Sequence, residues 1–271
     1  MTALNGVGIE PVLIKGAQSL WTGSPEWRYQ IDLDLLIAEN EAHSAQEELI
    51  KIGYGPDPEL PKRDHRHHLE PLFRQDMPAC IEIHRRAGNR YAEPLLPTAE
   101  LLREGRRSEK DGLRVRLLPP HLHMLQALIH YHVGHSADAR GLVDLRGLYE
   151  FAWAFDQLDA SERAALDGRA RQNARLAAAL DFWIAAAADL FAVDVPEPFH
   201  VHHDAAFRWS KVFARMSGAL PAAWKYPGYS EEIRMACHNE RISRAAPIDS
   251  FLSRQFLRFK VIGSLLPKRP D

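Results

Sequence analysis

Cysteine is scarce and the net charge is small in this sequence, and each shortage excludes a class of protein. Two cysteines, Cys80 and Cys237, occur among 271 residues, which argues against a disulfide framework and excludes a four-cysteine zinc site. The formal net charge is -2, so no excess of positive charge indicates binding to nucleic acid. We therefore expect a cytoplasmic protein with no nucleic-acid partner.

Long apolar runs are also missing. The first residues, MTALNGVGIEP, lack the basic stretch followed by an apolar stretch that is typical of a signal peptide. The most apolar later stretch, residues 176–193, is interrupted by Asp181 and Asp189, which indicates a buried amphipathic helix. We therefore expect neither a signal peptide nor a membrane partner.

The pattern of apolar residues predicts an α+β fold, in which a small mixed β-sheet with helices is followed by a mostly α-helical half. From Pro119 and Pro120 onward, apolar residues recur at helical spacing. We therefore place a domain boundary near residue 118, between a first domain of residues 1–118 and a helical domain of residues 119–271. Strands are expected at 12–16, 31–37, 67–73, 80–86 and 112–118, and helices of the first domain at 16–21, 39–51 and 94–108.

The segment IDLDLLI, residues 31–37, carries two aspartates on a strand that is otherwise apolar. Residues i and i+2 of a strand point to the same face, so Asp32 and Asp34 project together, about 7 Å apart along the strand. A cation relieves the repulsion between neighbouring carboxylates, and Mg²⁺ prefers such hard oxygen ligands. The alternative, from this segment alone, is that both aspartates cap backbone groups at a solvated strand end.

A third carboxylate follows on another predicted strand. In CIEIHRR, residues 80–86, Glu82 and His84 share one face, while Ile81 and Ile83 share the other. If this strand neighbours the first, Glu82 completes a cluster able to hold two metal ions, which can clamp the attacking and leaving oxygens of an in-line displacement. The alternative for Glu82 is a surface position paired with a lysine or an arginine.

Two basic positions precede the acidic pair. Lys15 and Gly16 end the first predicted strand, where a glycine permits a tight turn and the following helix offers free N–H groups to a phosphate. Arg28 lies shortly before the acidic strand, in position to hold a triphosphate or to orient an aspartate. Each also has a plainer interpretation, namely a structural turn for Lys15 and a surface pair with Glu26 for Arg28.

Taken together, the segments KG…R…DLDLLI…GY…H…IEIHRR resemble an uncharacterised nucleotidyltransferase family of the DNA polymerase beta superfamily, the group with Lys-Gly in place of the usual Gly-Ser. The resemblance runs from about Val12 to Phe151. It implies that Asp32, Asp34 and Glu82 are the catalytic, metal-binding carboxylates, and that Glu82 can also act as general base on the acceptor hydroxyl.

The same resemblance implies how the nucleotide is held. Lys15 and Gly16 match the turn that contacts the nucleotide phosphates, Arg28 matches the arginine before the acidic strand, and His84 lies near the metals or contacts the acceptor or a phosphate. The implied cofactor is Mg²⁺, with Mn²⁺ as a substitute, and the substrate is a nucleoside triphosphate. Residues 1–118 would then be the catalytic domain, and residues 119–271 would complete the substrate cleft.

The reaction implied is transfer of a nucleoside monophosphate to an acceptor hydroxyl of a small molecule, peptide or protein, with release of pyrophosphate. Positioning and charge neutralisation supply most of what such a reaction needs. Two other functions stay open: a catalytically silent nucleotide-binding or toxin–antitoxin module, and a metal-dependent hydrolase. Retention of all three carboxylates favours the enzyme, and tightly held zinc or manganese would favour the hydrolase.

Fourteen histidines raise the question of a zinc site. The cluster His65, His67 and His68 lacks a fourth ligand at fixed spacing, so we expect a polar loop over the site in which one histidine touches the acceptor or a phosphate. Five more histidines fall on the predicted helix after Pro120, where a helix lining the cleft with hydrogen-bonded or solvated imidazoles is the simpler interpretation: His121, His123, His130, His132 and His135. A metal site on this helix is the alternative, and the resemblance implies a cleft role for His130 or His135, with Asp144 and Arg146 as candidate partners.

Overall fold

The fold is described from a computed structural model, which covers residues 1–23, 32–57, 67–134 and 143–216. Arg28, His65 and His135, all named above, lie outside these described residues. A seven-stranded mixed sheet has the order β3-β4-β5-β2-β1-β7-β6. Its strands are β1 (Val12–Leu13), β2 (Asp32–Leu36), β3 (Gly55–Pro56), β4 (Leu72–Phe73), β5 (Cys80–His84), β6 (Arg106–Lys110) and β7 (Leu113–Leu117).

Helices occur in both halves of the described chain. None of the described helices is both long enough and apolar enough to cross a membrane. The first half contains α1 (Thr2–Gly6), α2 (Gly16–Thr22), α3 (Ala42–Lys51) and α4 (Thr98–Glu104). The second contains α5 (Pro120–Leu128), a π-helical segment (Ile129–Gly134), α6 (Leu145–Asp156), α7 (Ala160–Arg171), α8 (Ala174–Phe191) and α9 (His203–Met216).

Strand β2 lies at the centre of the sheet, parallel to β5 on one side and antiparallel to β1 on the other. Its alternating side chains enter two different apolar cores. Leu35 and Ile83 join Leu4 of α1 and Leu49 of α3 on one face. Leu36 joins the apolar residues of α5 to α9 on the opposite face. Because Asp34 shares the face of Leu36, the helical half packs on the same side of the sheet as the acidic residues.

The predicted α+β class is confirmed, and the second half is mostly helical over its described residues, 119–134 and 143–216. The helix expected over 94–108 is shorter, because α4 ends at Glu104 and Arg106–Lys110 forms strand β6. Asp111 and Gly112 connect β6 to β7 with φ values of 53° and 74°. Positive φ at both central residues is the geometry of a two-residue hairpin, which an Asp-Gly pair favours. Local turn chemistry and pairing with β7 therefore override the helix propensity of RRSEK.

Candidate active site

The acidic residues meet where β2 and β5 run side by side. In this parallel pair Asp34 lies opposite Glu82 and Leu36 lies opposite His84. Both strands form because apolar residues alternate along them and fill the core behind the sheet, as Leu35 and Ile83 do. The register places the two carboxylates and the imidazole on one face of the sheet. From the sequence, a shared face was predicted only for residues of the same strand.

Asp34 is almost completely buried, with 1% of its surface exposed. Its Oδ1 atom lies 2.5 Å from Lys15 Nζ and 2.7 Å from His84 Nε2. Burial alone would raise the pKa of Asp34, but the hydrogen bond from His84 and the charge of Lys15 outweigh it and hold the pKa well below its usual range. Asp34 is therefore an anion at neutral pH.

Asp34, Glu82 and His84 form a compact group whose ligand atoms all lie within 4.8 Å of one another. His84 Nε2 is 3.3 Å from Glu82 Oε2, so one ring nitrogen faces both carboxylates. Burial opposes ionisation of Glu82, yet the hydrogen bond from His84 keeps its pKa below the usual value. The other ring nitrogen, His84 Nδ1, is buried and has no hydrogen-bond partner among the described residues. Two carboxylate oxygens and an imidazole nitrogen fit a divalent cation.

Asp32 occupies the same face as Asp34, opposite Cys80, but it is not a member of the compact group. Burial raises its pKa, and the neighbouring charge of Asp34 raises it further. Lys15 acts in the opposite direction. A carboxyl group in this setting gains from a positive charge nearby.

Lys15 adopts an unusual backbone conformation in the turn between β1 and α2. Its φ is 50° and its ψ is −133°, and the N–H of Ala17 donates to the carbonyl of Ile14 at 3.1 Å. These features define a type II′ turn with Lys15 at the position that glycine normally occupies. Gly16, for which the sequence predicted this freedom, is not among the glycines with positive φ.

Two backbone N–H groups of this turn are already engaged in hydrogen bonds within the protein. The N–H of Lys15 donates to Gln126 Oε1 at 3.1 Å, and the N–H of Ala17 is taken by Ile14. The carbonyl of Lys15 accepts a hydrogen bond from His123 Nε2 at 2.8 Å. The predicted contact of Lys15 and Gly16 with phosphates stays a prediction. Sequence reasoning did not identify Gln126, because nothing local distinguishes it from any other helical glutamine.

His67 and His68 border the compact group, with ring centroids 5.8 and 5.2 Å from that of His84. Burial lowers the pKa of His67 to about 4, and the neighbouring His68, His84 and Lys15 lower it further, whereas Glu82 acts in the opposite direction. His67 is therefore neutral at pH 7 and can accept a hydrogen bond. The prediction that a histidine of this segment touches the acceptor or a phosphate stays a prediction.

The histidines of the second half have mainly structural contacts. His121 Nδ1 is 2.6 Å from Glu162 Oε2, and the buried His132 accepts from Trp183 Nε1 at 3.2 Å. For these two, the simpler interpretation of hydrogen-bonded imidazoles is confirmed. Two further helical residues have local partners: Asp144 accepts from the N–H of Gly147, and Arg146 pairs with Glu150.

Comparison with known proteins gives a family and distant structural likenesses. The model of a family described as uncharacterised nucleotidyltransferase matches residues 1–192. A search of curated proteins found no match. One solved structure that matches is an antigenic nucleotidyltransferase-like protein from Paracoccidioides brasiliensis, with 18% identity, 66% of this chain and 87% of that chain covered, and a TM-score of 0.36.

Proposed function

The chain belongs to the uncharacterised nucleotidyltransferase family, and from this we propose that it moves a nucleoside monophosphate from a nucleoside triphosphate to an acceptor hydroxyl, releasing pyrophosphate. The observation that carries the proposal is the opposition of Asp34 and Glu82 across two parallel strands, with His84 beside both. Buried carboxylates held as anions at one point of a sheet bind cations, and cations bring nucleotide phosphates.

Asp34, Glu82 and His84 would hold one Mg²⁺ ion, and Asp32 with Asp34 would hold a second. Bound there, the ions supply charge neutralisation to the phosphates and to the attacking and leaving oxygens of an in-line displacement. Mn²⁺ suits the same group, because imidazole is a better ligand for transition metals than for Mg²⁺. Loss of either buried carboxylate should therefore remove cation binding as well as activity.

The remaining chemistry belongs to the protein's own side chains. The ammonium of Lys15 binds the phosphates of the nucleotide, and the ionised Glu82 accepts the proton of the acceptor hydroxyl. Gly16 lets the nucleotide approach the turn, and Arg28 adds a second contact to the triphosphate. The described helical residues after residue 118 are proposed to complete the cleft for the acceptor, which is a hydroxyl of a small molecule, peptide or protein. We propose a cytoplasmic location for this reaction.

The test begins with binding, because binding needs no knowledge of the acceptor. Purified protein is titrated with each of the four ribonucleoside triphosphates and Mg²⁺ or Mn²⁺, and the melting temperature is followed. Label transfer from an α-labelled triphosphate to a cell extract, together with pyrophosphate release, then reports chemistry. We expect one triphosphate to raise the melting temperature in a cation-dependent manner.

The matched variants are Asp34→Asn, at the buried position, and Asp204→Asn, whose side chain is fully exposed. The first should lose both cation-dependent stabilisation and label transfer, and the second should keep both. Wild-type turnover in Asp34→Asn would rule the proposal out. Failure of every triphosphate to bind would also rule the proposal out. Triphosphate binding without label transfer would favour a silent nucleotide-binding module, and tightly bound zinc with hydrolytic release would favour the hydrolase.

A further inference from the structure

We infer that His123 and Gln126 of α5 are positioning residues, which hold Lys15 in a strained turn so that its ammonium stays directed at the acidic group. The inference rests on the proposed function for the role of Lys15 in nucleotide binding, but its geometric part stands independently. It assigns to the helical half a specific task at the candidate active site. Both residues bind the backbone of Lys15, and the role assigned to them is exerted through that residue.

The backbone of Lys15 is strained. A side chain in the φ-positive position of a type II′ turn clashes with its own backbone, which is why glycine dominates there. With φ at 50° and ψ at −133°, Lys15 has a strained backbone. A conformation of this kind persists only where surrounding contacts over-determine it.

The contacts that over-determine it come from α5. Gln126 Oε1 accepts from the N–H of Lys15 at 3.1 Å, and His123 Nε2 donates to the carbonyl of the same residue at 2.8 Å. His123 and Gln126 are three residues apart and therefore lie on one face of the helix. Both polar groups of the Lys15 backbone are thus held by a single rigid element that is more than 100 positions away in sequence.

If the position of Gln126 served packing alone, an apolar residue would be expected there. It is buried, with 2% of its surface exposed, and its Nε2 atom has no hydrogen-bond partner among the described residues. A buried donor without an acceptor destabilises the folded protein, and a leucine of similar volume would avoid that loss. The acceptor oxygen that Gln126 offers to Lys15 is the feature that a leucine could not supply.

The side chain of Lys15 shows the result of this arrangement. Nζ reaches Asp34 Oδ1 at 2.5 Å and lies 3.4 Å from His84 Nε2. With a relaxed backbone of negative φ, the Cα–Cβ bond of Lys15 would point in a different direction. Alignment of the ammonium with the acidic group is therefore set by α5.

The test is a crystal structure of the free protein carrying Gln126→Leu, with Gln18→Leu as the matched control. Gln18 is also a buried glutamine, with 4% of its surface exposed, and it binds the backbone of Leu118 rather than that of Lys15. In Gln126→Leu we expect Lys15 to relax to negative φ and its ammonium to leave Asp34. In the control, both should stay in place.

A binding cycle gives the second readout. Affinity for the preferred triphosphate with Mg²⁺ should fall about tenfold in Gln126→Leu, which corresponds to about 1.4 kcal/mol. In a Lys15→Ala background the same substitution should have almost no further effect, because the lysine side chain through which it acts is absent. His123→Phe removes the other contact and serves as the second variant if Gln126→Leu fails to fold.

Two results would overturn the inference. One is a Gln126→Leu structure in which Lys15 keeps its positive φ and its contact with Asp34. The other is an equal loss of affinity with and without the side chain of Lys15. If the wild-type protein binds no triphosphate, the proposed function fails, and the crystal structures still decide whether α5 sets the conformation of Lys15.

Discussion

Lys15 Nζ and Asp34 Oδ1 lie 2.5 Å apart in a pair that is almost fully withdrawn from solvent, with side-chain exposures of 13% and 1%. The pair joins a strained turn to the central strand of the sheet. It places a positive charge beside a compact group of two carboxylates and an imidazole. Several consequences of this relationship, and of the packing around it, can be measured.

The backbone strain of Lys15 predicts an inverted order of stability for two small substitutions. Lys15→Gly and Lys15→Ala both remove the ammonium, but only glycine accepts a φ of 50° without a clash. We expect Lys15→Gly to be the more stable by about 1 kcal/mol or more in free energy of unfolding, after the greater freedom of unfolded glycine is counted. Urea denaturation measures the difference.

Lys51 provides the comparison, because it ends helix α3 in an ordinary conformation. There, Lys51→Ala should be more stable than Lys51→Gly by up to about 1 kcal/mol, as helix propensity predicts. Equal stability of Lys15→Gly and Lys15→Ala would show that Lys15 is not strained.

The composition of the compact group predicts different roles for Glu82 and Asp32. Glu82→Gln removes one of the three ligand atoms within 4.8 Å of one another, and we expect affinity for Mn²⁺ to fall about 100-fold. Asp32→Asn should lower that affinity far less while still abolishing transfer, because we propose that Asp32 serves the second cation. Electron paramagnetic resonance titration of Mn²⁺ reports binding without any substrate.

Glu109→Gln, on the exposed face of β6, is the control and should bind Mn²⁺ as the wild type does. If Asp32→Asn weakens Mn²⁺ binding as strongly as Glu82→Gln does, Asp32 belongs to the first cation's ligand set and our division of roles is wrong.

The burial of His67 predicts a loss of stability in mild acid. Its pKa falls from the ordinary 6.5 to about 4 on folding, so between these values the unfolded chain binds a proton that the folded chain does not. Stability therefore rises with pH across this window and is complete above about 6.5. We expect His67→Gln to lose less free energy of unfolding than the wild type between pH 7 and pH 5.

Urea denaturation at the two pH values measures this, with His203→Gln as the control because the side chain of His203 is 94% exposed. The control should lose as much stability as the wild type. An identical loss in His67→Gln would mean that His67 takes up its proton in the folded state as readily as in the unfolded one.

Two helical glycines predict opposite effects of the same substitution. A Cβ atom at Gly147 of α6 would meet the ring of Tyr131 at 2.6–2.9 Å, whereas one at Gly168 of α7 would meet nothing within 4 Å. Gly147→Ala should therefore destabilise the protein by about 1–3 kcal/mol. Gly168→Ala should stabilise it by up to about 1 kcal/mol through helix propensity.

Thermal denaturation of the two variants beside the wild type tests this pair. Because Tyr131 follows α5 in the π-helical segment, a shift of its ring also disturbs the helix that holds Lys15. A stable Gly147→Ala would mean that the ring has room to move.

Part of this structure follows from sequence pattern alone. Alternation of apolar and acidic residues in IDLDLLI and of apolar and polar residues in CIEIHRR predicted strands, and period-two geometry placed Asp32 with Asp34 and Glu82 with His84. Those predictions depend on neighbours two positions apart, and a chain cannot avoid them once it is extended. The Asp-Gly turn between β6 and β7 is equally local. Its signal was present in the sequence, although the first residues of β6 fell within the helix predicted over 94–108.

What joins the two strands is not local. The sequence by itself determined which residues share a face of each strand, and with it the acidic character of the site. Only the tertiary structure decided that Asp34 stands opposite Glu82, that His84 completes the compact group, and that Lys15 takes the glycine position of its turn. The physical reason is that strand register, and the hold of α5 on Lys15, depend on how apolar faces pack across long sequence separations, which no short-range periodicity encodes.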